Sequence, residues 1–178
     1  HAGLVFPHRH DFFQIVLFTA GSGRHSIDFQ QHEVKPGQLY CMMPGQVHSW
    51  EFAPDADGFL VNFNESFITS MCHNSHFLYD FPMFNNLSGQ VVSHFSAPVA
   101  ALLESHFQQM WDEYRTYHGE FKNDLMRALL LQLLIRIARN IDTAPTDHVS
   151  KHNLTVLRNY QKLIEQHYRA LRLPKDYA

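Results

Sequence analysis

The apolar positions of the chain change period along its length. Residues 6–64 hold short runs rich in aromatic and β-branched side chains, broken at close intervals by turn residues, and this predicts an antiparallel sandwich or barrel. Strands are predicted over 12–19 (FFQIVLFT), 24–29, 38–42, 48–52 and 59–63 (FLVNF). Gly21-Ser22-Gly23, Lys35-Pro36-Gly37 and Pro44-Gly45 supply turn chemistry between them, and 53–58 reads as a loop. Residues 65–95 show a weaker pattern, with a short helix over 65–72 and a loop containing Phe81-Pro82.

From Ser96 the spacing becomes helical. Ser96 and Pro98 give an N-cap and an early helical proline, and Val99, Leu103, His106, Met110, Tyr114 and Tyr117 then recur every three or four residues up to Gly119. A second helix over 121–140 (FKNDLMRALLLQLLIRIARN) is apolar around most of its circumference, so one sheet face cannot cover it. It needs two partners: the β-domain and a helix of a second subunit. Residues 142–153 (DTAPTDHVSKHN) are polar and aperiodic and read as a linker. Val156, Leu157, Tyr160, Leu163, Ile164 and Tyr168 form one apolar stripe of a further helix, and Pro174 and Asp176 resemble the opening of another, so a second domain is expected to be cut short at Ala178.

Composition narrows the class. With 45% hydrophobic and 17% charged residues over 178 positions, the chain is neither disordered nor a charge-saturated helical rod. Residues 1–147 carry 8 basic and 15 acidic side chains, whereas 148–178 carry 6 basic and 2 acidic, so an acidic body precedes a basic tail suited to a polyanion. Two cysteines, Cys41 and Cys72, form neither a disulfide framework nor a CxxC pair. No apolar run reaches the ~18 residues of a membrane span, and a charged-then-apolar leader is missing, so a cytoplasmic location without membrane contact is expected. The outlying count is histidine, 14 of 178.

Spacing singles out a few of those histidines. Side chains at i, i+2 and i+6 of a strand share a face, so His8, His10 and Gln14 are expected to converge, with His48 joining from a neighbouring strand. Three imidazoles and an amide oxygen suit a divalent transition metal. Aromatic residues in such strands read first as core, but Phe12 and Phe18 share parity with His10 and Gln14, and Trp50 and Phe52 with His48, so these four could instead form the apolar wall of a small-molecule pocket. The other eleven histidines, His25 and His32 among them, lack shared ligand spacing and read as solvent-facing or singly hydrogen-bonded. Gly21-Ser22-Gly23 lacks the helix and third glycine of a dinucleotide fingerprint, and no G-x-S-x-G elbow occurs, so no catalytic residue is assigned.

The stretches HRHDFFQ and PGQVH resemble the two short motifs of the cupin barrel. The whole order of elements, through to LTVLRNYQKLIEQHYRALRLPKDYA, resembles the AraC/XylS family of transcription regulators. The resemblance implies an α+β chain in four parts. Residues 1–95 would be a cupin-like antiparallel effector-sensing barrel, 96–141 a helical dimerisation unit, 142–153 a linker, and 154–178 the start of a truncated all-α helix-turn-helix domain. It implies a non-enzymatic sensor in which a small effector, held by His8, His10, Phe12, Gln14, Phe18, His48, Trp50 and Phe52, controls the DNA-binding domains. It also implies a homodimer through Leu103, Met110, Leu129, Leu133 and Ile137. Operator DNA would be a partner of the full-length protein and not of residues 1–178. No cofactor is required, although His8, His10, Gln14 and His48 remain a metal set. Metal-dependent cupins usually carry Glu where this chain has Gln14 and Asn where it has Phe52. The alternative reading is a metal-dependent cupin enzyme, an oxygenase or isomerase, and a third is a pH switch through the pocket imidazoles.

Overall fold

The structure is a computed structural model that describes residues 5–28, 30–71, 77–84, 91–141, 156, 159–160, 163–164 and 166–177. Cys72, the expected linker and Leu157 lie outside the described residues. The chain divides into two compact units, 1–142 and 143–178.

The first unit opens with two antiparallel sheets. Strands β1 (Phe13–Ala20), β4 (Gln38–Met42), β6 (Asp57–Phe63) and β7 (Val92–His94) form one, in the order β6-β1-β4-β7. Strands β2 (Gly23–Ile27), β3 (Gln30–Val34) and β5 (His48–Phe52) form the other, in the order β3-β2-β5. The alternation of β1 divides two cores. Phe13, Ile15 and Leu17 enter a large cluster with Leu39, Cys41 and Phe63, while Val16 and Phe18 face the other way, onto Ile27, Val34, Tyr40, Met42 and Trp50. The register supports this, pairing Ile15 with Cys41 and Val61 on one face and Val16 with Tyr40 on the other. A strand buried on both sides reads as a continuous apolar run, which is what FFQIVLF shows.

Helices cover the outer core. α1 (Glu65–Thr69) is followed by two short 3-10 turns, Phe77–Asp80 and Pro82–Phe84, and then by α2 (Ala97–Thr116) and α3 (Lys122–Asn140). α2 and α3 are joined by a buried contact in which the His106 ring donates from Nε2 to the Leu129 carbonyl at 2.8 Å. α3 places Leu129, Leu130, Leu133, Leu134 and Ile137 in the same cluster as the outer face of β1.

That packing corrects the expected dimer residues. Leu103, Met110, Leu129, Leu133 and Ile137 are 0–4% exposed and belong to the core of their own chain. α3 does need two partners, but the sheet and α2 of the same chain supply both. The outward apolar positions of the pair are Leu102, Trp111, Tyr114, Leu125 and Ile135.

Two strands are new relative to the sequence reading. β3 (QQHEV) carries a single apolar residue, so it has no legible alternation; it forms because β2 offers a partner ladder from Gly23↔Val34 to Ile27↔Gln30. β7 is three residues long and pairs with β4. The predicted helix over 65–72 is shorter than expected, ending at Thr69.

The second unit, taken by itself, is helical at its described positions up to His167 and closes with a 3-10 turn at Pro174–Tyr177. There the Tyr177 hydroxyl donates to the Leu171 carbonyl at 2.6 Å and its ring meets Tyr160 edge-on.

Phe121, the residue before α3, is 76% exposed and holds a left-handed conformation (φ 63°). A bulky residue is disfavoured there, and an N-cap favours Asn. Phe121→Asn is expected to stabilise the chain by about 1 kcal/mol in denaturant unfolding; a loss of stability would contradict this account of the turn.

Candidate functional site

The inner face of the three-stranded sheet is lined with imidazoles. Register places His25 between His32 on β3 and Trp50 on β5, and Ile27 opposite His48, so His25, His32, His48, Trp50 and Phe52 share one side. His25 stacks on Trp50, and Phe18 and Tyr40 pack against the same indole.

His8 and His10 reach this face from the segment before β1. Spacing predicts them on the first strand, but β1 begins at Phe13, and the chain bends at Asp11 and Phe12. Backbone bonds fix the segment instead. The His8 N–H donates to the His48 carbonyl at 2.9 Å, and the His48 N–H returns a bond to the His8 carbonyl at 2.8 Å. The Gly45 N–H donates to the His10 carbonyl at 2.8 Å. Gly45 has φ 86°, so the PG turn that presents this N–H needs glycine.

Three rings meet as a result. Ring centroids are 4.5 Å apart for His8 and His48, 4.9 Å for His8 and His10, and 5.0 Å for His10 and His48. One nitrogen from each lies within 4.8 Å of the other two. The His8 Nδ1–H donates to the Phe6 carbonyl at 2.8 Å and the His48 Nδ1–H to the Gln46 carbonyl at 3.3 Å. A carbonyl only accepts, so both rings carry the proton on Nδ1 and keep a lone pair on Nε2. Those two Nε2 atoms are buried and meet no hydrogen-bond partner. This is the arrangement in which histidine binds a metal, with the second nitrogen tied to a backbone carbonyl. A tetrahedral ion with bonds of 2.0–2.1 Å needs nitrogens about 3.3 Å apart, so the three rings would have to draw closer than the 4.8 Å within which their nitrogens lie.

The other expected site residues separate into groups. Phe12 stacks on His10. Gln14 is 5% exposed and faces the inner side, but its Nε2 donates to Asn62 Oδ1, its cross-strand partner, at 2.9 Å, and its Oε1 is buried without a partner. Phe18 and Trp50, each 4% exposed, are packed in the inner core rather than arranged around open space. Phe52 is 43% exposed and stacks on Trp50.

His25 was missed. It is fully buried, lies edge-on to His48, and neither ring nitrogen has a partner, so it is not a surface histidine. Its parity with Ile27 in RHSID was the available signal. His32, also read as a surface residue, holds Nε2 buried without a partner.

Burial keeps these rings neutral. It pushes His25 down to about 2, with help from His48, His32 and His8. It pushes His48 down to about 4, against the opposing pull of the Gln46 hydrogen bond and the Asp28 charge. Burial also lowers His10, with the neighbouring His8 adding to the effect. Neutral imidazole is the ligating form, and shifts this large move the protonation of His25 and His48 away from the neutral range that a physiological pH switch requires.

An open groove of about 400 Å³ lies between α2 and α3, lined by Gln108, Asp112, Glu113 and Leu125 among others. It shares no residue with the histidine site.

Two antiparallel sheets around an inner core, with helices on the outer face and a histidine cluster inside, define a cupin-like binding domain. The chain belongs to the AraC-like ligand binding domain family, whose model matches residues 2–135. Over 66 residues, 35% of this chain, it is 33% identical to the HTH-type transcriptional activator RhaS of Mannheimia succiniciproducens, and the match spans 25% of that protein. The AraC-like transcriptional activator CuxR superposes with a TM-score of 0.51 over 94% of this chain and 55% of its own, at 13% identity, which shows the fold. ToxT from Vibrio cholerae strain SCE256 has a TM-score of 0.46 at 9% identity over 97% of this chain and 63% of its own. Among the described residues no helix is long and apolar enough to cross a membrane.

The buried imidazoles make stability depend on pH. In the unfolded chain His25 and His48 take up protons near their ordinary value of ~6.5, but in the folded chain only near about 2 and about 4. Stability is therefore full above ~6.5 and falls as pH drops below it, by about 1.4 kcal/mol per pH unit for each ring. Metal-free protein is expected to melt at a lower temperature at pH 5 than at pH 7, with a shallower fall in His25→Phe; equal melting at both values would contradict the burial of these rings.

Proposed function

We propose that this chain is the effector-sensing part of an AraC-type transcription regulator, with no catalytic role of its own, and that its inner site is built around one divalent transition metal held by His8, His10 and His48. The observation that carries the metal is the pair of buried, partnerless Nε2 atoms on rings whose Nδ1–H groups are already tied to carbonyls. Family membership sets a binding role above a catalytic one. Bound metal would supply a Lewis acid to which an effector's oxygen or nitrogen could bind, while Phe12, stacked on His10, offers apolar contact beside it. Effector binding would favour one arrangement of the barrel and its helices, and so the placing of DNA-binding domains in a cytoplasmic full-length protein.

Protein purified without a histidine tag, stripped with chelator and titrated with Zn²⁺ or Co²⁺, is expected to bind one equivalent tightly. His8→Ala and His48→Ala should each abolish that equivalent while the fold persists by circular dichroism. No tight equivalent, or one that survives both substitutions, would exclude the site.

We further propose a homodimer through the outward faces of α2 and α3. Trp111 and Tyr114 stack on each other there, 48% and 61% exposed, and Leu102 and Leu125 are also open to solvent. Trp111→Asp combined with Leu125→Asp is expected to convert a dimer to a monomer in sedimentation without lowering the melting temperature. Leu133→Asp should instead unfold the chain, because a charge enters the core. A dimer that persists in the double variant would remove this interface.

A further inference from the structure

The β2–β3 turn is fastened to the loop that carries His48 by more bonds than a reversal of the chain needs. Asp28 holds a left-handed backbone (φ 45°), and its N–H donates to the Val47 carbonyl at 2.9 Å. Its Oδ1 accepts from the Val47 N–H at 3.1 Å, and its Oδ2 accepts from Gln46 Nε2 at 3.0 Å. Gln46 Oε1 in turn accepts from the Met43 N–H at 2.7 Å. The side-chain amide of Gln46 is thus spent at both ends on fixing residues 43–47. Its backbone carbonyl is then free to take the Nδ1–H of His48.

We propose that Asp28 and Gln46 are positioning residues, holding the Gln46 carbonyl where it locks the His48 ring with Nε2 turned towards His8 and His10 for metal capture. The inference rests on the metal reading above and extends it to two side chains that do not touch the ion. Two physical effects act together. Tying Nδ1–H to a fixed carbonyl removes the alternative tautomer, in which Nε2 would carry the proton and could not ligate. The Asp28 carboxylate, held against Val47 and Gln46 next to His48, also brings a negative charge that favours a cation at the site. Asp28 is exposed and Gln46 half-exposed, so neither is needed to fill the core.

The test compares wild type with Asp28→Ala, Asp28→Asn and Gln46→Ala by two readouts, with folding checked by circular dichroism. Zinc affinity is measured by competition against a chelating dye. The tautomer of His48 is read from its ring nitrogen shifts in metal-free protein, which a merely structural role would leave alone. Asp28→Asn keeps the left-handed turn and an oxygen acceptor while removing the charge, so it remains informative if Asp28→Ala is poorly folded. Zinc affinity is expected to fall about ten- to hundredfold in Asp28→Ala and Gln46→Ala, with a smaller fall in Asp28→Asn. His48 should change from a single Nδ1–H form to a mixture. Affinities within about twofold of wild type in the folded variants, or an unchanged tautomer in Gln46→Ala, overturn the proposal. A wild-type chain that takes up no zinc defeats the metal reading, and the tautomer then judges the positioning separately.

Discussion

The double burial of β1 is the constraint from which the rest of the first unit follows. A strand covered on both faces needs one layer on each side, and its two-residue period assigns side chains to them: Phe13, Ile15 and Leu17 to the helices, Val16 and Phe18 to the inner core. A register slip of one residue would exchange the two sets and put Gln14 among the leucines of α3. The segment just before β1 is then fixed by its backbone bonds to His48 and Gly45, and His8 and His10 arrive opposite His48.

The inner core is unusual in mixing aromatic packing with imidazoles left unpaired. Trp50, Tyr40 and Phe18 exclude water, and His25 and His48 lie among them without partners for one or both ring nitrogens. Buried polar atoms without hydrogen bonds are costly, on the order of 1–3 kcal/mol each. Violations of ordinary packing rules of this kind tend to concentrate at functional sites, which is why these rings carry the proposed metal reading. The loop 43–48 is the joint of the arrangement, since it holds His10 through Gly45, His8 through the bridge at His48, and His48 through Gln46.

Much of this was legible in the chain. β4 and β5 begin and end where the turn residues placed them, α2 follows from Pro98 in its first turn and from the three-to-four spacing, and α3 from its long apolar run. The convergence of His8, His10 and His48 was legible as a face-sharing pattern, although the reason was partly different: a backbone bridge, and not one continuous strand, carries His8 and His10 to the site. Other features could not be read locally. β3 has no apolar alternation and exists only through its partner, and the destination of α3's wide apolar surface depends on tertiary packing. The helix periodicity is the same whether Leu133 meets another chain or the sheet of its own. His25 looked ordinary because its ligand-like surroundings come from β5, 25 residues away at Trp50.

The central claim is that three imidazoles share one ion at the end of the inner core. X-ray absorption at the zinc edge, on the chain loaded with one equivalent, counts those ligands directly. The account predicts nitrogen or oxygen neighbours at about 2.0 Å with the outer-shell scattering of three imidazoles and no sulfur. A spectrum showing sulfur ligation, or fewer than three imidazoles, would contradict it.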